Sequence, residues 1–146
     1  MIRLTEHFTL QELTVTHTGM ANVPNAQVIN NLKQLAQQLE HVRLILCIKA
    51  RRDVPVIVTS GYRCPEVNAF VGGSKTSAHL KGLAADFVAP QFGTPKQIAI
   101  AIKDSALEFD QLIYQNICVH LSIDEPMRQL VLTKVAGDPI CRQGII

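Results

Sequence analysis

Several features that would place this chain in a familiar functional class are missing from its sequence. Only 18% of the 146 residues are charged, and the basic residues are scattered apart from Arg51 and Arg52. There is therefore no basic stripe of the kind that nucleic-acid binding needs, and we expect no nucleic-acid partner. The four cysteines include no CxxC pair, so their spacing supports neither a zinc ribbon nor a disulfide framework, and free thiols are the default.

Long apolar segments are also missing. The N-terminus, "MIRLTEHFTLQEL", mixes charged and apolar residues and lacks the continuous apolar segment of a secretory signal, and no stretch approaches membrane-spanning length. We therefore expect no membrane partner and a protein that is cytoplasmic as synthesised. The length and the hydrophobic content of 47% suit one packed domain over residues 1–146, a monomer whose tail is loosely held from about residue 137.

What is present is a pattern of helices followed by strands. Thr9 and Glu12 form a capping-box pattern that predicts a short opening helix, and apolar residues every three or four positions over 28–46 predict a long core helix. A Thr-Pro pair predicts the start of another helix, over about 95–107. The segments "VPVIVTSG", "GLAADFV", "FDQLIYQ", "ICVHLSI" and "QLVLTKV" predict strands. The fold class is therefore α+β, with N-terminal helices packed on a small, mostly antiparallel sheet.

Three ionisable side chains stand in apolar surroundings and need partners. Asp86 shares a strand face with Ala84 and Val88, and burying an unpaired carboxylate is costly, so it must meet a cation, several donors or a metal. His79 comes just before that strand, and His120 lies in the middle of the apolar strand "ICVHLSI". Two imidazoles and one carboxylate are the donor set of a catalytic zinc site; a hydrogen-bonded core histidine is the alternative.

A family resemblance favours the metal site. The segments "SGYRCPEVNAFVGGSKTSAHLKGLAADF" and "FDQLIYQNICVHLSI" resemble the M15 family of zinc peptidases, which comprises D-alanyl-D-alanine carboxypeptidases and phage endolysins. The family pattern S-x-H-x-x-G-x-A-x-D, and the histidine that follows it later in the chain, are matched by Ser77, His79, Gly82, Ala84, Asp86 and His120. The flanking "FTLQEL", "SGYR", "VGGS" and "FDQLIY" resemble the phage-associated branch. The resemblance implies a fold like that of Hedgehog and the DD-peptidases.

The resemblance also implies roles for particular residues. His79, Asp86 and His120 would hold Zn²⁺, and a metal-activated water would hydrolyse peptide bonds in the peptidoglycan stem, as a D,D-carboxypeptidase or an endopeptidase. Arg63 matches the family arginine near the scissile carbonyl or a substrate carboxylate, where a guanidinium stabilises a developing oxyanion. Ser77 either donates to the substrate or fixes the His79 loop. The protein would act on the cell wall if it is released by a phage.

The match departs from the family pattern just before the second histidine. Family members usually carry an acidic general base and a tryptophan there, whereas this chain has Ile117 and Cys118, and the glutamate that often follows "DQLIY" is Gln115. An amide cannot usefully accept a proton, and a positioned general base is worth about 10²–10⁴ in rate. Three acidic residues are possible substitutes: Glu108, Asp110 and Asp124.

Cys118 is a second departure that bears on activity, and two hypotheses about function follow. The thiol stands two residues from His120, so on a strand the two share a face, and it either binds zinc in place of water or packs as an ordinary thiol. The first hypothesis is an active zinc peptidase. The second is a catalytically impaired, zinc-holding module that binds cell-wall peptides or acts as a phage structural component.

Overall fold

One six-stranded sheet carries the site and receives the helices on its other face. The computed structural model describes all residues from 1 to 146. The helices are α1 (Leu10–Leu13), α2 (Ala26–Ala50), α3 (Pro65–Phe70) and α4 (Pro95–Lys103), with a 3₁₀ turn at Ala78–Lys81. The strands are β1 (Ile57–Ser60), β2 (Ala84–Val88), β3 (Gln111–Tyr114), β4 (Val119–Ser122), β5 (Leu130–Thr133) and β6 (Arg142–Gln143).

The strand order is β1-β2-β4-β3-β5-β6, and every neighbouring pair is antiparallel except β3 with β5. The predicted α+β class and the mostly antiparallel sheet are therefore confirmed. In the register of the three central strands, Asp86 on β2 lies opposite His120 on β4, which in turn lies opposite Ile113 on β3. Directly paired residues project to the same face of a sheet, so this row brings the two functional side chains together.

Helices α1 and α2 form where local sequence signals predict them, whereas α3 was not predicted. Thr9 and Glu12 complete a capping box at α1, and the Asn25 side chain caps α2 by accepting from the Val28 amide at 2.9 Å. The apolar stripe of α2 lies within a single cluster of 24 buried residues that also takes in the inner face of the sheet. Each large side chain in such a core contributes about 1.5–3 kcal/mol on burial. This core holds the sheet rigid beneath the site.

Helix α4 and the C-terminal segment differ in detail from the sequence expectations. Helix α4 ends at Lys103 because the Ser105 hydroxyl donates to the Ile102 carbonyl and accepts from the Leu107 amide, which satisfies backbone groups outside the helix. Beyond residue 137, where the sequence predicts a loose tail, β6 pairs with β5 and the Thr133 hydroxyl donates to the Gly144 carbonyl at 2.7 Å. None of the helices combines the length and the apolar character that crossing a membrane requires.

Candidate metal centre

His79, Asp86 and His120, which are far apart in the sequence, converge on the open face of the sheet. Asp86 and His120 meet through the β2–β4 register, and the 3₁₀ turn carries His79 over them. The three residues are buried, with exposed fractions of 2%, 8% and 8% respectively. One nitrogen from each imidazole and one carboxylate oxygen lie within 4.8 Å of one another. The group that the sequence singled out is therefore assembled in a geometry that can hold a metal ion.

The tautomer of His79 is determined by its surroundings. Its Nδ1 lies 2.6 Å from the carbonyl oxygen of Gly61, which can only accept, so Nδ1 carries the hydrogen and Nε2 of the neutral ring has a lone pair. That Nε2 is buried without a hydrogen-bond partner, although Asp86 Oδ1 lies only 3.3 Å away. A lone pair and a carboxylate oxygen that face each other out of water are satisfied by a cation between them, either a proton on Nε2 or a metal ion. The observed residues fit a bound metal.

His120 and the charge of Asp86 complete the donor set. Nδ1 of His120 lies 2.9 Å from the same Oδ1 of Asp86, and the two imidazole centroids are 5.1 Å apart. Burial by itself would raise the pKa of Asp86, but the two histidines outweigh it and hold that pKa well below its usual range. The carboxylate is therefore ionised at neutral pH. Two imidazole nitrogens and one anionic oxygen are the ligands that a catalytic zinc ion takes from a protein.

Arg63 binds the Asp86 carboxylate through the oxygen that does not face the two histidines. Its Nη2 donates to Asp86 Oδ2 at 3.3 Å, which leaves Oδ1 facing the histidines. Its Nε donates to Ser60 Oγ at 3.1 Å and its Nη1 to Asn68 Oδ1 at 3.2 Å. The backbone amide of Arg63 also donates to the His79 carbonyl at 3.0 Å. The guanidinium is thus held by three hydrogen bonds beside the centre and is not a solvated loop side chain.

Asn68 is a member of this network that reasoning from the sequence missed. It is 4% exposed; its Oδ1 accepts from Arg63, and its Nδ2 donates to the Ser74 carbonyl at 2.9 Å. A Cβ atom on Gly73 would lie only 2.1 Å from Asn68 Oδ1, so the second glycine of "VGGS" is required by this close approach. That glycine was the signal in the sequence from which the contact could have been suspected.

Ser77 and Gly82 shape the turn that presents His79. The Ser77 hydroxyl accepts from the His79 amide at 3.2 Å and so caps the 3₁₀ turn. Gly82 ends the turn at a φ of +73°, in the left-handed region that favours glycine, and packs closely against Val28. Of the two roles considered for Ser77, the hydrogen bond from the His79 amide corresponds to the one that fixes the His79 loop. Donation to a substrate stays a prediction, and Ser77 does line the cleft described next.

The metal-binding group opens onto a cleft of about 520 Å³. None of the three acidic residues considered as a substitute base is an unpaired carboxylate in this cleft. Asp110 lines the cleft, but the Nε and Nη2 atoms of Arg128 each donate to its carboxylate at 2.9 Å. Asp124 also lines the cleft and accepts from Lys81 Nζ at 3.0 Å. Glu108 is exposed and lies outside the cleft. No second acidic side chain in the cleft is free of a cationic partner.

The Asp110–Arg128 pair makes a testable contribution to stability. Hydrogen bonds from Arg128 are the main cause that lowers the pKa of Asp110, a residue only 4% exposed. A lowered folded-state pKa adds stability that is present above the unfolded value of about 3.9 and lost as pH falls through the folded value. We expect Asp110→Asn to cost about 2 kcal/mol at pH 7, with the difference from wild type shrinking below about pH 4.

Urea denaturation of wild type and Asp110→Asn at pH 7 and at steps down to pH 3 measures this difference. Asp138→Asn, which removes an ion pair near the C-terminus, is the matched control and should change stability much less. A constant difference across the pH range would contradict the role assigned to Asp110.

Gln115, Ile117 and Cys118 fall in the β3–β4 turn and have different environments. Gln115 lines the cleft, whereas Ile117 is 79% exposed. The Cys118 thiol donates to Gln115 Oε1 at 3.4 Å and does not belong to the group whose ligand atoms cluster. Burial, with the nearby charge of Asp86, raises the pKa of Cys118 to about 12, so it is a thiol at neutral pH. Without a metal ion, Cys118 therefore packs as a hydrogen-bonded thiol, and zinc binding by its thiolate stays a prediction.

A buried His-Asp-His group and a fixed arginine that share one open cleft suit a metal-dependent enzyme, and metal-dependent hydrolases are one class built in this way. A family model described as Peptidase M15 matches residues 6–122, a range that contains every residue of the centre, and the chain belongs to the M15 peptidase family. This confirms the resemblance at the level of the family, whose members are zinc-dependent metallopeptidases. No curated protein matches the chain.

Proposed function

We propose that the protein is a zinc-dependent hydrolase of peptidoglycan stem peptides, from the phage-associated branch of its family. The observation that carries the proposal is the lone pair of His79 Nε2, which is buried 3.3 Å from Asp86 Oδ1 with no hydrogen bond to satisfy it. The residues of the centre would hold a zinc ion, whose chemistry would be to activate a water for attack and to polarise a substrate carbonyl. Two further features support catalysis: the group opens onto a cleft, and an arginine stands at its edge.

Each residue of the centre then has a defined task. His79, Asp86 and His120 hold the metal, and the Gly61 carbonyl keeps the His79 ring in the tautomer whose Nε2 is free to bind. Arg63 orients the Asp86 carboxylate, and its positive charge faces the cleft where an oxyanion would develop on the substrate carbonyl. Such preorganised charge is effective because the surrounding side chains are already locked in position.

A second candidate function follows from the acidic residues. A hydrolase of this kind needs a group that accepts a proton from the attacking water, yet Asp110 is tied to Arg128 and Asp124 to Lys81. This observation favours a catalytically impaired, zinc-holding module that binds cell-wall peptides or serves as a phage structural component. It would keep His79 and the rest of the centre but release no product.

Incubating the zinc-loaded protein with purified peptidoglycan separates the two functions. The hydrolase releases new amino groups, and a chelator or the His120→Ala change abolishes that release. The impaired module sediments with peptidoglycan in a zinc-dependent manner and releases nothing. If the protein neither cleaves nor sediments, both proposals about the cell wall are wrong, whatever the metal content.

Because three hydrogen bonds hold the Arg63 guanidinium beside the centre, changing Arg63 should lower kcat without lowering the zinc content. Arg63→Lys keeps one positive charge but cannot reach Ser60, Asn68 and Asp86 together, because an ammonium lacks the planar fork. Removing one donor aimed at an oxyanion costs about 10²–10³ in kcat. We therefore expect kcat on a stem peptide to fall by about 10² while one zinc per chain is retained.

The matched control is Arg142→Lys, which alters an exposed ion pair near the C-terminus and should leave kcat unchanged. Zinc content and melting temperature are measured on each variant so that a folding defect is recognised. Wild-type kcat in a folded, zinc-loaded Arg63→Lys protein would show that the guanidinium has no part in the reaction.

A further inference from the structure

One positive charge in the cleft has no acidic partner. Three cationic side chains line the cleft: Arg63, Arg128 and Lys134. Asp86 neutralises the first and Asp110 the second, whereas Lys134 forms neither an ion pair nor a side-chain hydrogen bond. Lys134 is exposed and also lines an adjoining pocket that it shares with Gln115 and Asp86. Its ammonium is therefore free to meet an anionic group of a ligand.

The sheet register places Lys134 on the same face as the metal-binding group. Strand β5 runs parallel to β3 with Ile113 opposite Leu132, and Ile113 is opposite His120 on β4. Lys134 stands two positions after Leu132, so it shares the face of that row. Its amide donates to the Tyr114 carbonyl at 2.8 Å, which continues the β3–β5 pairing beyond the strand ends and brings Lys134 beside Gln115.

The Lys134 side chain is long enough for its ammonium to reach a substrate carboxylate that lies close to the scissile bond. Strand β5, which leads into Lys134, is the second strand from His120 on β4, and Lys134 lies two residues further along than the residue in register with His120. With about 4.8 Å between strands and 3.3 Å per residue, the Cα atoms of Lys134 and His120 are roughly 12 Å apart. The flexible four-carbon stem shortens the gap between the ammonium and the reacting group. A carboxylate one residue beyond a scissile carbonyl is only about 3.5 Å from that carbonyl.

Gln115 adds hydrogen-bond donors to this charge. Its Oε1 accepts from the Cys118 thiol at 3.4 Å, which orients the amide and leaves the Nε2 hydrogens without a protein acceptor. The neighbouring side chains of Lys134 and Gln115 thus present an ammonium and amide donors, with no anion of their own to occupy them. A carboxylate is complementary to that pair, because an ionised acceptor makes the stronger kind of hydrogen bond.

We propose that Lys134, assisted by the Gln115 amide, binds the C-terminal carboxylate of the substrate peptide and so selects peptides that end one residue after the scissile bond. This inference rests on the proposed function and deepens it, because it makes the reaction that of a carboxypeptidase rather than an endopeptidase. Lys134 lies beyond residues 6–122 that match the family, so the feature belongs to the C-terminal segment of this chain.

The test compares N-acetyl-D-alanyl-D-alanine with its C-terminal amide on the zinc-loaded full chain. Calorimetry measures binding of each peptide, and a separate assay follows D-alanine or D-alaninamide release. We expect wild type to bind the acid about 10-fold more tightly than the amide, as for a hydrogen bond to a charged group. Lys134→Gln should lose that preference without altering amide binding, and Lys134→Arg should keep most of it. Lys96→Gln, the same charge change on α4 outside the cleft, is the matched control and should behave as wild type.

The outcomes separate the two proposals. An acid preference that disappears in Lys134→Gln supports the carboxylate site even if neither peptide is cleaved, in which case the hydrolase function fails alone. Equal cleavage of acid and amide, unaffected by Lys134→Gln, overturns the carboxylate site and leaves the hydrolase standing. Absence of binding by either peptide overturns the carboxylate site as well.

Discussion

Replacing His120 with alanine is expected to remove zinc from the protein and to abolish any hydrolysis. The centre offers three protein ligands, and the change leaves two. Zinc sites with four protein ligands bind with about 10–16 kcal/mol, so one ligand is worth about 3 kcal/mol, or more than about 10²-fold in affinity. Zinc per chain after dialysis should therefore fall from one to near zero, measured by elemental analysis and by competition with a chromogenic chelator.

His41→Ala is the matched control for this loss. His41 is an exposed histidine on α2, outside the centre, so its removal should leave one zinc per chain. The melting temperature of each metal-free protein shows whether folding is intact. Stoichiometric zinc in His120→Ala after dialysis would mean that the ligand set proposed here is wrong.

Placing a carboxylate at Gln115 is expected to raise catalysis. Gln115 lines the cleft beside the metal-binding group, and the two acidic residues there other than Asp86 are occupied by cations. A positioned general base is worth about 10²–10⁴ in rate, so Gln115→Glu should raise kcat on a stem peptide by about 10². Because the same change removes an amide donor from the proposed carboxylate site and gives Lys134 an anionic neighbour, the gain in kcat should come with a higher KM for peptides that end in a carboxylate.

Ile117→Glu provides the matched comparison for this gain. By family pattern position 117 is the place of the missing acid, but the Ile117 side chain is 79% exposed in the turn and does not line the cleft that holds the centre. We therefore expect much less gain from Ile117→Glu than from Gln115→Glu under identical zinc loading. The reverse order would show that the attacking water lies near residue 117.

Local signals in the sequence were sufficient for α1, α2, the start of α4 and the five longer strands, but α3 and the 3₁₀ turn beside the site were not predicted. The capping residues at Thr9 and Asn25 and the apolar stripe of α2 act within one or two helical turns, so they can be recognised without knowing the fold. The five longer strands also follow from short apolar runs. The end of α4 was harder to predict because the Ser105 hydroxyl competes locally with the helix for backbone partners.

The contacts that give the centre its chemistry could not be predicted in the same way. The Gly61 carbonyl that sets the His79 tautomer stands 18 residues away from it in the sequence, and Arg128 meets Asp110 across 18 residues. Such contacts depend on strand register and on the path of loops, neither of which leaves a periodic pattern in the chain. The same reasoning explains why Asn68, the partner of Arg63, was not anticipated.

By itself, the sequence determined the kinds of side chain available for chemistry: two imidazoles and a carboxylate in apolar segments, an arginine after a strand, and no acid where the family usually has one. Tertiary structure alone decided which of them face one another. It placed His79 Nε2 against Asp86, engaged Asp110 with a cation and left Lys134 without one. The physical reason is that composition and periodicity act over a few residues, whereas a binding site is made by side chains that only the packed sheet and its loops bring within a few ångströms.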